Sequence, residues 1–383
     1  MFVSFASEYT ALGFACLGFN QPGMGSPGVP GWCESWESYV DNAAFASKEL
    51  ARKANVEWSV QGAPSAPLFV HGQSMGGALA IDLAQRLPNA VTGVMLSAPM
   101  CGIAPDRVPN ACGIGMLKCL EACCPAAALV PQEDIMADCF KCATQLEQRR
   151  KYNKQSAMPN QPLLRTGLQL YNATLHIQDS AAAFAPPAVL LVQGGQDAVT
   201  DKGMTKQYIK QCGGKNRVYI EYTHSWHVLE ADGMDTRAAM LHDVLQWTAA
   251  WTSAWEAANP TLVTQGKQQG ADAEGAGDSK DAATDEADDA AADEAAVQVR
   301  KDPVADSQQE ETHTGTPTLW SRPTPLPGFM VVQPTKAAAD PSVQAEVVDG
   351  VHFVTRDTGL GPLPKHDEEG KPIPGSNQLE ESP

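Results

Sequence analysis

Gly72-Gln73-Ser74-Met75-Gly76 constrains this 383-residue chain more than any other stretch, because a strand-like run leads into it and a helix-like run leads out. A Gly-x-Ser-x-Gly pentapeptide arises by chance in a chain of this length with probability roughly 0.1, so its flanks decide what it means. Ahead of it, Pro67-Leu68-Phe69-Val70-His71 is short, apolar and carries Phe and Val, the composition of a buried strand. Behind it, residues 78–85 read as a helix that Pro88 stops. A strand that turns sharply into a helix at a serine leaves the hydroxyl clear of both elements on a strained backbone, with glycines at 72 and 76 letting chain segments pass close by. The amide of Met75, in the first turn of that helix, then faces any anion forming beside Ser74.

At its free pKa a serine is a weak nucleophile, so the elbow calls for a histidine base and a carboxylate that orients it. Residues 188–192, Ala-Val-Leu-Leu-Val, form a second buried strand candidate, followed by Gln193-Gly194-Gly195-Gln196-Asp197. A third candidate spans residues 217–222 and leads into Thr223-His224-Ser225-Trp226-His227. Ser, Asp and His thus come in that order, each after a strand, which is the chain order of an α/β-hydrolase triad. Asp201 competes with Asp197, and His224 competes with His227. The residues by themselves leave both choices open.

The stretches Gly72–Ala80, Gly194–Asp197 and His227-Val228-Leu229 resemble the monoacylglycerol lipases and the wider lidded serine hydrolases. The resemblance covers roughly residues 1 to 255. It implies an α/β-hydrolase fold, a mostly parallel sheet flanked by helices with a helical lid insertion. By its pattern Ser74 is the nucleophile, Asp197 the orienting acid, His227 the base and Met75 an oxyanion donor. His-Val-Leu fits that pattern and Thr-His-Ser does not, which favours His227. No metal or organic cofactor is implied. Residues 13–26, from Gly13 to Ser26, look like the strand and glycine-rich loop one crossover before the elbow strand, and Met1–Tyr9 reads like the helix before it.

The same resemblance implies a His-Gly loop that supplies a second oxyanion donor, and three further strands, none of which has a counterpart here. The fold is therefore expected to be N-terminally incomplete. Strand 14–20 then loses its central neighbour, unless another segment fills the gap or this strand shifts across to pair with 67–71. The expected divisions are residues 1–100 and 166–255 for the hydrolase core, 101–165 for a cysteine-rich helical lid and 256–383 for an acidic, Pro-rich tail. A catalytically impaired hydrolase-like binding protein and an acyltransferase using the same triad are the alternatives to a hydrolase.

Composition bears on the tail and on partners. No Phe, Trp or Tyr occurs between Trp255 and Trp320, and residues 271–294 hold ten acidic side chains against one lysine. Such a segment buries too little apolar surface to offset chain entropy, so a disordered tail is expected. Phe329-Met330-Val331-Val332 and Val351-His352-Phe353-Val354-Thr355 interrupt it and read as weakly ordered, or as strands added to a sheet edge. The formal net charge of −18 excludes nucleic acid as a natural partner.

Of ten cysteines, seven lie between Cys101 and Cys142, within the lid. Cys139-Phe140-Lys141-Cys142 has metal-ligand or redox spacing, but Cys119, Cys123 and Cys124 do not form a matching second pair, so no metal is expected. On helical spacing they share a face with Met116 and Leu120. Residues 112–131 carry Ile114, Met116, Leu117, Leu120, Leu129 and Val130, an apolar cover suited to a lipophilic ester such as a monoacylglycerol or lysophospholipid, and to peripheral membrane contact. There is no signal-peptide pattern and no apolar run of about 18 residues, so a cytoplasmic or peripheral membrane location is expected.

Overall fold

The computed structural model describes residues 2–25, 28–58, 64–103, 108–129, 135–159, 161–264 and 343–357. The chain divides into two units, Met1–Val263 with Pro327–Pro383, and Thr264–Leu326. The acidic run and Phe329–Val332 lie outside the described residues.

In the first unit the chain runs α1 (Phe2–Ala11), α2 (Trp36–Lys53), β1 (Leu68–Gln73), α3 (Met75–Arg86), β2 (Val91–Ser97), then α4 (Ala111–Cys123), α5 (Ile135–Cys139) and α6 (Ala143–Gln155). It continues through α7 (Leu164–Asp179), β3 (Ala188–Gly194), α8 (Lys202–Gln211), β4 (Asn216–Tyr222), α9 (Met234–Ala258), β5 (Val343–Val348) and β6 (Val351–Arg356). The strands form one sheet in the order β1-β2-β3-β4-β6-β5. All neighbours are parallel except β5 and β6, which form a hairpin.

Strand composition explains the layering. β2 and β3 are buried at every position, as parallel strands covered on both faces must be. On one face Val94, Leu96, Val189 and Leu191 pack with residues of α2, α3, α7 and α8. On the other, Met95, Leu190, Val192 and Ile220 meet Phe5 and Tyr9 of α1 and Met240, Val244 and Trp247 of α9. Helix α1 thus occupies the N-terminal stretch read as helical. Burying each such side chain is worth roughly 1.5–3 kcal/mol.

The expected strand at 14–20 is absent: Phe14–Asn20 joins no ladder. β1 is therefore an edge strand among the described residues. Leu17 and Phe19 instead line a groove beside it, with Ala43, Ala46, Leu50 and Val70 among its other lining residues.

Of the two readings of Val351–Thr355, the structure shows the strand added at the outer part of the sheet, not the weakly ordered piece. This stretch lies in β6, which pairs in parallel with β4 from Arg217↔Val351 to Tyr222↔Arg356, at the far side of the sheet from β1. Asp349 and Gly350 both have positive φ, 52° and 71°, as a two-residue type I′ hairpin turn requires. Val351 and Phe353 then join the α-covered core on one face.

Between β2 and β3, α4 to α6 form the insertion read as the lid. Its helix α4 splits into two stripes. Leu117, Leu120 and Cys124 pack with Leu164 and Leu168 of α7, whereas Cys112, Met116, Cys119 and Cys123 are exposed. The single face expected for Cys119, Cys123, Cys124, Met116 and Leu120 is therefore two faces. Val130 lies outside the described residues.

Candidate active site

Ser74 sits between β1 and α3 at φ 54° and ψ −118°, a conformation that costs a non-glycine residue about 1–3 kcal/mol. Neighbouring bonds hold it there. The Ser74 amide donates to the Ser97 carbonyl at the end of β2 (2.9 Å), and the Ser74 carbonyl accepts from the amides of Gly77 (2.9 Å) and Met100 (3.0 Å). The close approach falls on Gly72, as expected, and on Gly77 in place of Gly76. A Cβ on Gly72 would collide with the Gly76 main chain, and one on Gly77 would lie 2.7 Å from the Pro99 Cβ, but one on Gly76 would meet nothing. Gly72 and Gly77 are the positions that allow the elbow.

The structure brings Ser74, His227 and Asp197 into one chain of contacts. His227 Nε2 is 2.8 Å from Ser74 Oγ, and His227 Nδ1 is 2.9 Å from Asp197 Oδ2. A carboxylate can only accept, so Nδ1 carries the proton and Nε2 is free to accept the serine's. The His227 side chain is 3% exposed and that of Asp197 0%, which strengthens both contacts by excluding water.

Asp197 is held from several directions. Oδ1 accepts the amides of Val199 (2.8 Å) and Thr200 (3.1 Å), while Oδ2 also accepts from Thr200 Oγ1 (2.7 Å) and Gln193 Nε2 (2.7 Å). Burial alone would raise its carboxyl, but His227, the Thr200 hydroxyl and the Val199 amide hold it below the ordinary aspartate range. Gln193 and Thr200 did not figure among the sequence candidates. Thr200, three residues after an aspartate in a turn, is the one a side-chain-to-backbone turn pattern flags.

Both competitors lie elsewhere. Asp201 caps α8, its Oδ1 accepting the Met204 amide at 2.8 Å. His224 Nε2 is 3.1 Å from Asp357 Oδ1, whereas it is His227 that meets Ser74.

Met75 opens α3, and first-turn amides have no acceptor within their own helix. The insertion touches the histidine loop directly: the Val228 amide donates to the Cys139 carbonyl (3.0 Å) and Lys141 Nζ to the His224 carbonyl (3.2 Å). Phe140 and Leu146 pack beside Val228 and Ala231. Among the described residues no group of three or more His, Cys, Asp or Glu side chains is arranged to hold a metal ion.

A serine on a strand-to-helix elbow, within a mostly parallel sheet covered by helices on both faces, defines an α/β-hydrolase. The profile of the Hydrolase_4 family, described as serine aminopeptidase S33, matches residues 1–233, and the chain belongs to that family. Human monoglyceride lipase is 24% identical over 198 residues, 51% of this chain and 63% of that protein. The mouse enzyme of the same name is also 24% identical, over 49% of this chain and 59% of its own. The chain thus spans less than two thirds of the length of these curated relatives. Among solved structures, the Paleococcus ferrophilus monoacylglycerol lipase superposes with a TM-score of 0.51 at 17% identity, covering 65% of this chain and 88% of that one. That likeness concerns the fold.

Proposed function

We propose that the protein hydrolyses lipophilic carboxylic esters, of the monoacylglycerol or lysophospholipid type, through Ser74, His227 and Asp197. The observation that carries this reading is the buried, continuous Ser74–His227–Asp197 hydrogen-bond chain on a strained elbow. In the acylation step Nε2 of His227 takes the hydroxyl proton as Ser74 Oγ attacks the carbonyl carbon. The Met75 amide donates to the resulting oxyanion. Collapse breaks the ester C–O bond, and Nε2–H protonates the departing alcohol. Water, deprotonated by the same nitrogen, then attacks the acyl-serine and releases the acid. Asp197 stays ionised and steadies the imidazolium throughout.

Two features favour a lipid ester over a peptide, despite the family's name. Curated relatives carry the name monoglyceride lipase, and the exposed Cys112, Met116, Cys119 and Cys123 stripe of α4 offers an apolar surface suited to acyl chains and to peripheral contact with a membrane. No helix among the described residues is long and apolar enough to cross a membrane.

Labelling with a fluorophosphonate probe tests the nucleophile, and release of fatty acid from a monoacylglycerol tests the substrate. The full chain is expected to take label that Ser74→Ala loses, with turnover falling by at least about a thousandfold. A labelled Ser74→Ala protein would refute the assignment. A wild-type protein that takes no label would favour a binding role, and ester products formed with a competing alcohol would favour acyl transfer.

A further inference from the structure

His224 is the histidine of the catalytic loop that the triad leaves unused, and it lies where the C-terminal hairpin meets that loop. The carbonyl of Arg356, the last residue of β6, accepts from both the amide (3.1 Å) and the hydroxyl (3.2 Å) of Thr223. One residue further along each segment, His224 Nε2 lies 3.1 Å from Asp357 Oδ1. The hairpin is anchored well enough to act as a support. Arg356 forms a two-pronged ion pair with Asp243 of α9, with Nε at 2.5 Å from Oδ2, and Tyr222 donates to the same carboxylate oxygen at 2.7 Å. At the turn end, Arg217 donates to the Asp349 carbonyl at 2.8 Å, and Lys210 lies over the Phe353 ring.

From this arrangement we infer that the β5–β6 hairpin is a positioning element of the active site, with Asp357 and the Arg356 carbonyl fixing Thr223 and His224 so that His227 stays aligned on Ser74. The inference rests on the triad reading for its catalytic consequence. Its structural logic is that residues 223–231 are a loop without a ladder of their own. On one side the lid holds this loop through Lys141 and Cys139. The hairpin holds it on the other. A loop gripped from both sides loses the freedom that would let Nε2 drift from hydrogen-bond distance, and a displacement of about 1 Å at a reacting group can lower turnover about a hundredfold. The family profile ends at residue 233, so the hairpin is a support drawn from outside the matched region.

The test uses the full chain, with Asp357→Ala, Asp357→Glu and Thr223→Val, and with Glu346→Gln on exposed β5 as the control. Amide hydrogen exchange is read over residues 223–228 and, for comparison, over β2 and α3. Asp357→Ala and Thr223→Val are expected to speed exchange in 223–228 about two- to fivefold without changing β2 or α3. They should lower kcat two- to tenfold at unchanged KM. Asp357→Glu is expected to restore both, and Glu346→Gln to alter neither. Unchanged exchange in 223–228, or a loosening shared equally by β2 and α3, would overturn the proposal. An inactive wild-type chain would instead refute the hydrolase reading, and the exchange measurement would still decide the positioning role.

Discussion

Two aspartates four residues apart, both beyond the end of β3, do different work because their carboxylates meet different donors. Asp197 accepts from His227, two amides, a hydroxyl and an amide side chain. Asp201 accepts the Met204 amide at the start of α8. Replacement of Asp197 by Asn is expected to lower kcat about ten-thousandfold by favouring the wrong tautomer of His227. Asp201→Ala should retain turnover while costing about 1 kcal/mol of stability through the lost cap, measurable as a lower urea midpoint. The reverse pattern would exchange their roles. Chain order and spacing made both residues candidates, but the choice depends on where β3 ends and how the next turn folds. Gln193 is illegible for the same reason: a polar residue at a strand end has no partner until the turn after it is built, whereas Thr200 follows Asp197 at a spacing a turn pattern flags.

At the level of elements, the buried strands were readable from apolar runs of β-branched residues, and the elbow helix from its periodicity and the proline beyond it. Phe14–Asn20 is also largely apolar but holds no β-branched residue and a central Gly18, and it joins no ladder. The hairpin carried a signal that composition obscured. Val348-Asp349-Gly350-Val351 is an Asp-Gly turn between alternating apolar residues, a strong local hairpin pattern inside a Pro-rich stretch. Periodicity in α4 located the helix, whereas the contact with α7 decided which cysteines face inward. Burial pushes the thiol of Cys33 up to about 11 and that of Cys212 up to about 12, and raises that of Cys101 as well. Brief iodoacetamide treatment of the native protein should therefore modify Cys112, Cys119 and Cys123 while sparing Cys33, Cys101 and Cys212, as peptide mass mapping would show. Rapid alkylation of Cys101 would contradict this packing.

Over the whole molecule, the sheet is closed on one face by a helix that begins at the end of the family-matched region. Trp247 of α9, 1% exposed, meets Phe69 of β1 edge to face at 5.8 Å between ring centroids. It also occupies the space above Gly93, where a Cβ would lie 2.6 Å from the indole. Trp247→Ala should destabilise the protein by about 3–5 kcal/mol in denaturant unfolding, and a loss under 1 kcal/mol would mean that α9 does not complete this core. The sequence by itself determined the class of fold, the order of the three catalytic candidates and the position of the elbow, because these rest on local periodicity and on short motifs whose geometry is set within a few residues. Only the tertiary structure showed that His227 reaches the serine and Asp197 reaches His227, that the elbow strand lies at a sheet edge among the described residues, and that part of the tail joins the sheet beside β4. Those outcomes depend on contacts between residues as far as about 150 positions apart, such as His227 with Ser74, and no local pattern encodes which of several chemically equivalent partners such a contact will select.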